Sequence, residues 1–130
     1  MIPKFRAWDK FDKVIRDVTL LDYNQFFVGY SYPVFMKSTM HMELMRSTGL
    51  HDKNGQEIFE GDVLEIEDEG EVLGNAKLTW NNEQAVFMIE AISVDDIAPF
   101  HEILSDESYS YRVVGNVYEN PELLEVKDEK

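Results

Sequence analysis

Two passages of this chain alternate apolar and polar side chains with a period of two, and turn residues stand at their ends. In Glu60–Glu67, Leu64 and Ile66 point one way and Glu65 and Glu67 the other, as in a strand with one wet face. In Asn75–Glu90, Ala76, Leu78 and Trp80 alternate with Lys77 and Thr79, and Asn81–Gln84 then supplies turn chemistry. Beyond that turn Val86 and Met88 alternate with Phe87 and Ile89, so the strand is apolar on both faces and is predicted to be central or covered. A helix does not tolerate this pattern, because its facing positions recur every three to four residues. Strands are the expected building material.

Turn residues punctuate the pattern where strands must reverse. Asn54-Gly55 predicts a hairpin with a type I′ turn, since both residues tolerate the positive φ that such a turn needs. Gly61-Asp62 and Glu69-Gly70 mark further reversals, and Gly74 marks a bulge. Gly115, within the apolar run that ends at Tyr118, points to a bulge or a close backbone approach. Nearer the start, Pro3–Trp8 and Lys13–Leu21 flank a polar Asp9–Lys13 turn and read as another strand pair. Tyr30–Gly49, rich in Met and aromatic residues, fits a strand or a short helix equally.

Helix signals are few. Ser93 or Asp95 could cap a helix that Pro99 restricts to a turn or two. Asn120 is the cap of a second, with Pro121 in its first turn, Glu122 at the positive dipole end, and Leu123 and Leu124 as the docking pair. The expected architecture is one domain over residues 1–126, followed by a frayed tail at 127–130. Its class is all-β or β-rich α+β: a compact barrel-like or sandwich domain of short hairpins with one or two short helices.

Charge narrows the choice of partners. Residues 1–53 hold eight Lys/Arg against six Asp/Glu, whereas residues 54–130 hold four against twenty. The resulting −14 repels nucleic-acid phosphates and anionic lipid and attracts basic protein surfaces. No cysteine is present, which excludes disulfides, thiolate metal sites and cysteine nucleophiles. No apolar run has the length of a signal peptide or a membrane span, so the expected location is the cytoplasm.

The two glycine-rich signatures carry a resemblance. Thr48-Gly49-Leu50, Asp52-Lys53-Asn54-Gly55, Ile58 and Glu60-Gly61-Asp62 form the first, and Gly115-Asn116, Tyr118-Glu119-Asn120-Pro121 the second. Together with the opening Lys4–Asp9, in this order, they resemble the YopX family of phage and prophage proteins; His51 departs from the family's usual lysine. The resemblance implies a small β-rich protein with a barrel-like or sandwich core, acting in a bacterial host cytoplasm. It supplies no catalytic residues, because no activity is established for the family. Each of Gly49, Asp52, Asn54, Gly55, Gly61, Asp62, Gly115, Asn116, Tyr118, Asn120 and Pro121 has a folding role open to it and is read as structural.

Chemistry-bearing patterns are sparse. Asp52-x-Asn54-Gly55 fails as a calcium loop, because its glycine stands fourth and Val63 occupies the twelfth place. His41, His51 and His101 lie far apart and lack metal-ligand spacing, so neither a metal nor a cofactor is expected. Ser31, Ser38 and Ser47 sit in no nucleophile elbow, and no phosphate-binding glycine loop occurs. What stands out is acid: eight carboxylates fall between Glu57 and Glu71. Glu65 and Glu67 are expected on a strand's solvent face, with Asp68, Glu69 and Glu71 crowding the following turn. Such a surface is either a solvated face or the contact face for a basic host or phage protein. The leading expectation is a non-catalytic binding module. A carboxylate-based metal enzyme and a self-assembling component are the alternatives, the latter because Tyr30, Tyr32, Tyr109 and Tyr111 suit a homo-oligomeric interface.

Overall fold

A computed structural model describes residues 4–22, 27–30, 35–38, 41–92 and 97–125. Among them the chain forms eleven strands, and its contacts group into two compact units, Met1–Ser47 and Thr48–Lys130.

The first unit holds β1 (Phe5–Asp9), β2 (Val14–Asp22), β3 (Phe27–Tyr30), β4 (Phe35–Ser38) and the start of β5 (Met42–His51). Neighbours pair antiparallel in the order β4-β3-β2-β1-β5. The β1–β2 pair expected around Asp9–Lys13 is present, and the ambiguous Tyr30–Gly49 region resolves where described into strands. Tyr32 lies outside the described residues. Asp9 shapes the β1–β2 turn: its fully buried carboxylate accepts the Phe11 and Asp12 N–H groups, both at 3.0 Å, and meets Arg16 Nε at 3.4 Å. Ala7 and Met42, with Val18 and Leu44 against them, form this unit's apolar cluster.

The second unit begins with the end of β5 and continues through β6 (Glu57–Phe59), β7 (Asp62–Asp68), β8 (Glu71–Asn81), β9 (Val86–Ala91) and β10 (Ile97–Pro99). A single turn of helix, α1 (Phe100–Leu104), precedes β11 (Tyr109–Asn116), and a 3₁₀ turn covers Pro121–Leu124. One antiparallel sheet runs β10-β9-β8-β7-β11. Among the described residues no further strand pairs with β10 or β11, so the β-rich expectation holds while a closed barrel does not form. Leu64, Ile66, Ala76, Leu78 and Ile89 line one face and bury against Ile58 and Phe100. Burying one such aliphatic side chain contributes roughly 1.5–3 kcal/mol. Met88 and Ile89, which point to opposite faces of the sheet, are both buried, and β9 lies inside the sheet between β8 and β10.

Three local expectations are corrected or refined. Asn54-Gly55 does not make a type I′ turn: only Gly55 has positive φ, at 83°, and its N–H bonds the Asp52 carbonyl at 2.9 Å. Lys53 and Asn54 thus form a β-turn closed by a left-handed glycine. The α1 helix starts after Pro99, which caps it without a side-chain bond, and the preceding Ile97–Pro99 is an edge strand, where a missing N–H costs least. Ser93 and Asp95 lie outside the described residues. Asn120 precedes a 3₁₀ turn rather than an α-helix, and its side chain does not cap it, because Oδ1 already accepts the Asn116 N–H at 3.2 Å. Both predicted bulges occur, with register shifts between Ile66 and Glu67 opposite Leu73, and between Val113 and Gly115. The 127–130 tail lies outside the described residues.

Candidate acidic interface at the β7–β8 hairpin

Asp68 ends β7 and pairs with Glu71 at the start of β8, so Glu69-Gly70 is a two-residue loop. Both loop residues have positive φ, 51° and 84°, as a type I′ turn requires. The bulge at Leu73 then re-aims the start of β8, leaving Val72 and Leu73 more than half exposed.

The five acidic residues singled out in the sequence separate into two groups. Glu65 Oε1 accepts Arg112 Nε at 2.9 Å, and Glu67 Oε1 meets Lys53 Nζ at 3.1 Å. Hydrogen bonding from Arg112 holds the Glu65 carboxyl below its ordinary range and raises the guanidinium in turn. Lys77, on β8, meets Glu90 of β9 at 3.7 Å. Each described Lys and Arg of the second unit is thus matched to a strand carboxylate. The carboxylates of Asp68, Glu69 and Glu71 accept no hydrogen bond or ion pair from any described residue; Asp68 is half-buried and the other two are exposed. Free negative charge therefore gathers at the hairpin tip, not along the strand.

The α1–β11 loop lies beside this tip, joined to it by the Glu69 N–H to Ser108 carbonyl bond at 2.9 Å. It adds exposed Glu107 and Asp106, whose carboxyl is held below its usual range by bonds from the Ser108 hydroxyl and N–H. Tyr109 and Tyr111 pack against the core, Tyr111 edge-on to Phe100 at 5.4 Å.

The signature residues lie elsewhere, in backbone bonding. Thr48 Oγ1 donates to the Ile58 carbonyl and accepts the Leu50 N–H beside Gly49, whose φ is 75°. Asp52 is buried and binds the N–H groups of Asn54, Gln56 and Val113. Gly61, with φ 89°, donates to the Leu78 carbonyl and accepts from the Val117 N–H, while fully buried Asp62 accepts the Phe59 N–H at 2.8 Å. Asn116 Oδ1 accepts the N–H groups of Tyr118 and Glu119, and Asn120 and Leu123, which follows Pro121, close over Gly115. Among the described residues no three His, Asp or Glu side chains converge at metal-ligand spacing. Nor is any described helix long and apolar enough to cross a membrane.

These features define a small β-rich protein of open antiparallel sheets whose signature residues fold its turns. The chain belongs to the YopX family: the family model described as YopX protein matches residues 4–125. Among solved structures it is similar to protein EF1440 from Enterococcus faecalis, at 32% identity over 96% of this chain and 99% of that one, with a TM-score of 0.62. Protein yopX from Bacillus subtilis is similar at 19% identity over 94% and 98% of the two chains, with a TM-score of 0.65, and shows the shared fold alone. No curated protein matches the chain.

Sequence reasoning missed Val72, Leu73 and the pairing of Lys53 and Arg112. The bulge signal at Gly74 was the one local hint to the first two; the cation pairings join a turn and a strand to β7 acids that periodicity does not relate to them.

Proposed function

We propose that this chain is a phage- or prophage-encoded, non-catalytic binding module that docks a basic protein in the bacterial cytoplasm through its β7–β8 hairpin. The observation that carries this reading is the separation of the acids. Glu65 and Glu67 are neutralised by the fold's own cations, whereas Asp68, Glu69 and Glu71 stand together without one. Like charges opposite one another on paired strands repel, and a cationic partner relieves that repulsion on binding. The buried carboxylates Asp9, Asp52 and Asp62 hold backbone N–H groups in turns, a use that supports folding rather than catalysis.

Affinity purification of the tagged chain from a bacterial host, at about 50 mM and about 300 mM salt, tests the reading. A stoichiometric basic partner, released as salt rises and absent from a Glu69→Lys/Glu71→Lys variant, is the expected result. A partner retained equally by that variant, or by none of the acidic residues, overturns it.

A further inference from the structure

We infer that the hairpin acids form the rim of an apolar groove that seats an aliphatic or aromatic side chain of a basic polypeptide segment. This rests on the reading of the chain as a module for a basic partner and specifies how the partner is held. The groove has a volume of about 310 Å³, within the range of small binding sites, and lies between the inner face of the second unit's sheet and α1. Ile66, Leu73, Ala76, Ala98, Ile103 and Tyr109 line it.

Its origin is legible in the side-chain sizes. Leu64 and Leu78 fill the sheet's inner face further along, whereas Gly74, Ala76, Ala91 and Ala98 leave space beneath Ile103. At the mouth the bulge lifts Leu73, 56% exposed, beside Val72, 55% exposed. An aliphatic rim left in water at the end of an apolar groove gains by being covered.

Charge selects what covers it. Asp68, Glu69 and Glu71 belong to the hairpin whose Ile66, Leu73 and Gly74 line the groove, and Asp106 and Glu107 lie on the α1–β11 loop between its lining residues Ile103 and Tyr109, a loop bonded to the hairpin through Glu69 and Ser108. Lys53, Lys77 and Arg112, the described Lys and Arg of this unit, are occupied by Glu67, Glu90 and Glu65. A segment with an apolar anchor between Lys or Arg residues matches both floor and rim. A second copy of the chain, carrying −14, brings like charge to the same edge.

The probes are three peptides with two Lys/Arg at each end and Leu-Trp-Leu or Ser-Gly-Ser at the centre, or the Leu-Trp-Leu centre with uncharged ends. Binding is read by titration against amide shifts in the full chain. The expected result is that the basic apolar peptide binds about tenfold more tightly than either control and shifts Leu73, Gly74, Ala98 and Tyr109. Ala91→Leu, which fills the groove, and Leu73→Ser, which strips its exposed rim and leaves the core untouched, both remove that advantage while binding of the Ser-Gly-Ser peptide persists. Equal binding of the two basic peptides overturns the groove and leaves the acidic hairpin standing. Equal binding of the two apolar peptides overturns the charge selection, and no binding of any basic probe overturns both readings.

Discussion

Asp52 Oδ2 accepts the Val113 N–H at 2.8 Å, joining the β5–β6 turn to β11 across a sequence separation of 61. The other oxygen accepts Asn54 and Gln56, each at 2.9 Å, so one buried carboxylate closes a turn and ties it to a strand. Asp52→Asn turns an amide donor toward one of these N–H groups or loses a bond. The expected destabilisation is about 1–3 kcal/mol, and more for Asp52→Ala, checked by urea unfolding at neutral pH.

The same carboxylate sets an acid dependence. Burial pushes its pKa up, but the Val113, Gln56 and Asn54 N–H groups outweigh burial and hold it below the ordinary value of 3.8. The folded chain therefore binds this proton less readily than the unfolded chain. Its contribution is full above that ordinary value and is lost as pH falls through the lowered folded one. The stability gap between the parent and Asp52→Asn should narrow as pH falls below the ordinary value of 3.8. A gap that is constant with pH would contradict this account.

Gly115 is demanded by contact. A Cβ there would lie 2.5 Å from Asn120 Oδ1 and 2.7 Å from Leu123 Cδ1. Gly115→Ala should destabilise by about 1–3 kcal/mol and loosen the Pro121–Leu124 turn, seen as faster amide exchange at Leu123. Asn120→Ala in the same chain removes one of the two clashes and should recover part of the loss.

Arg112 and Glu65 are both partly exposed, so their pair is screened. Arg112→Ala should cost little stability, and less as salt rises, and should let the Glu65 carboxyl rise toward its ordinary value. Carboxyl chemical shifts followed through an acid titration check the second part.

The hairpin tip should trade stability against binding. Asp68 and Glu71 are cross-strand neighbours of like charge. Glu71→Lys replaces that repulsion by attraction and should raise the melting temperature, by about 0.2–1 kcal/mol of stability, while weakening capture of the basic partner. Loss of stability would place Glu71 among the folding residues instead.

What the sequence determined by itself was everything that repeats locally. Leu64 and Ile66 against Glu65 and Glu67, and the doubly apolar β9, are consequences of the two-residue strand period, which needs no knowledge of neighbours. Glycine placement likewise announced the bulges beside Gly74 and Gly115, because a backbone distortion leaves its mark at the residue that permits it. Tertiary structure decided what depends on partners distant in the chain. Asp52 selects the turn at Asn54-Gly55 by bonding it from within while holding Val113, and Asn120 abandons its cap for Asn116. Arg112 and Lys53 reach strand acids 47 and 14 positions away, which strips two carboxylates of free charge and leaves the hairpin tip anionic. The groove, too, exists only where small residues from separate strands are brought side by side. A period records which face a side chain takes; only the pairing of strands records what that face meets.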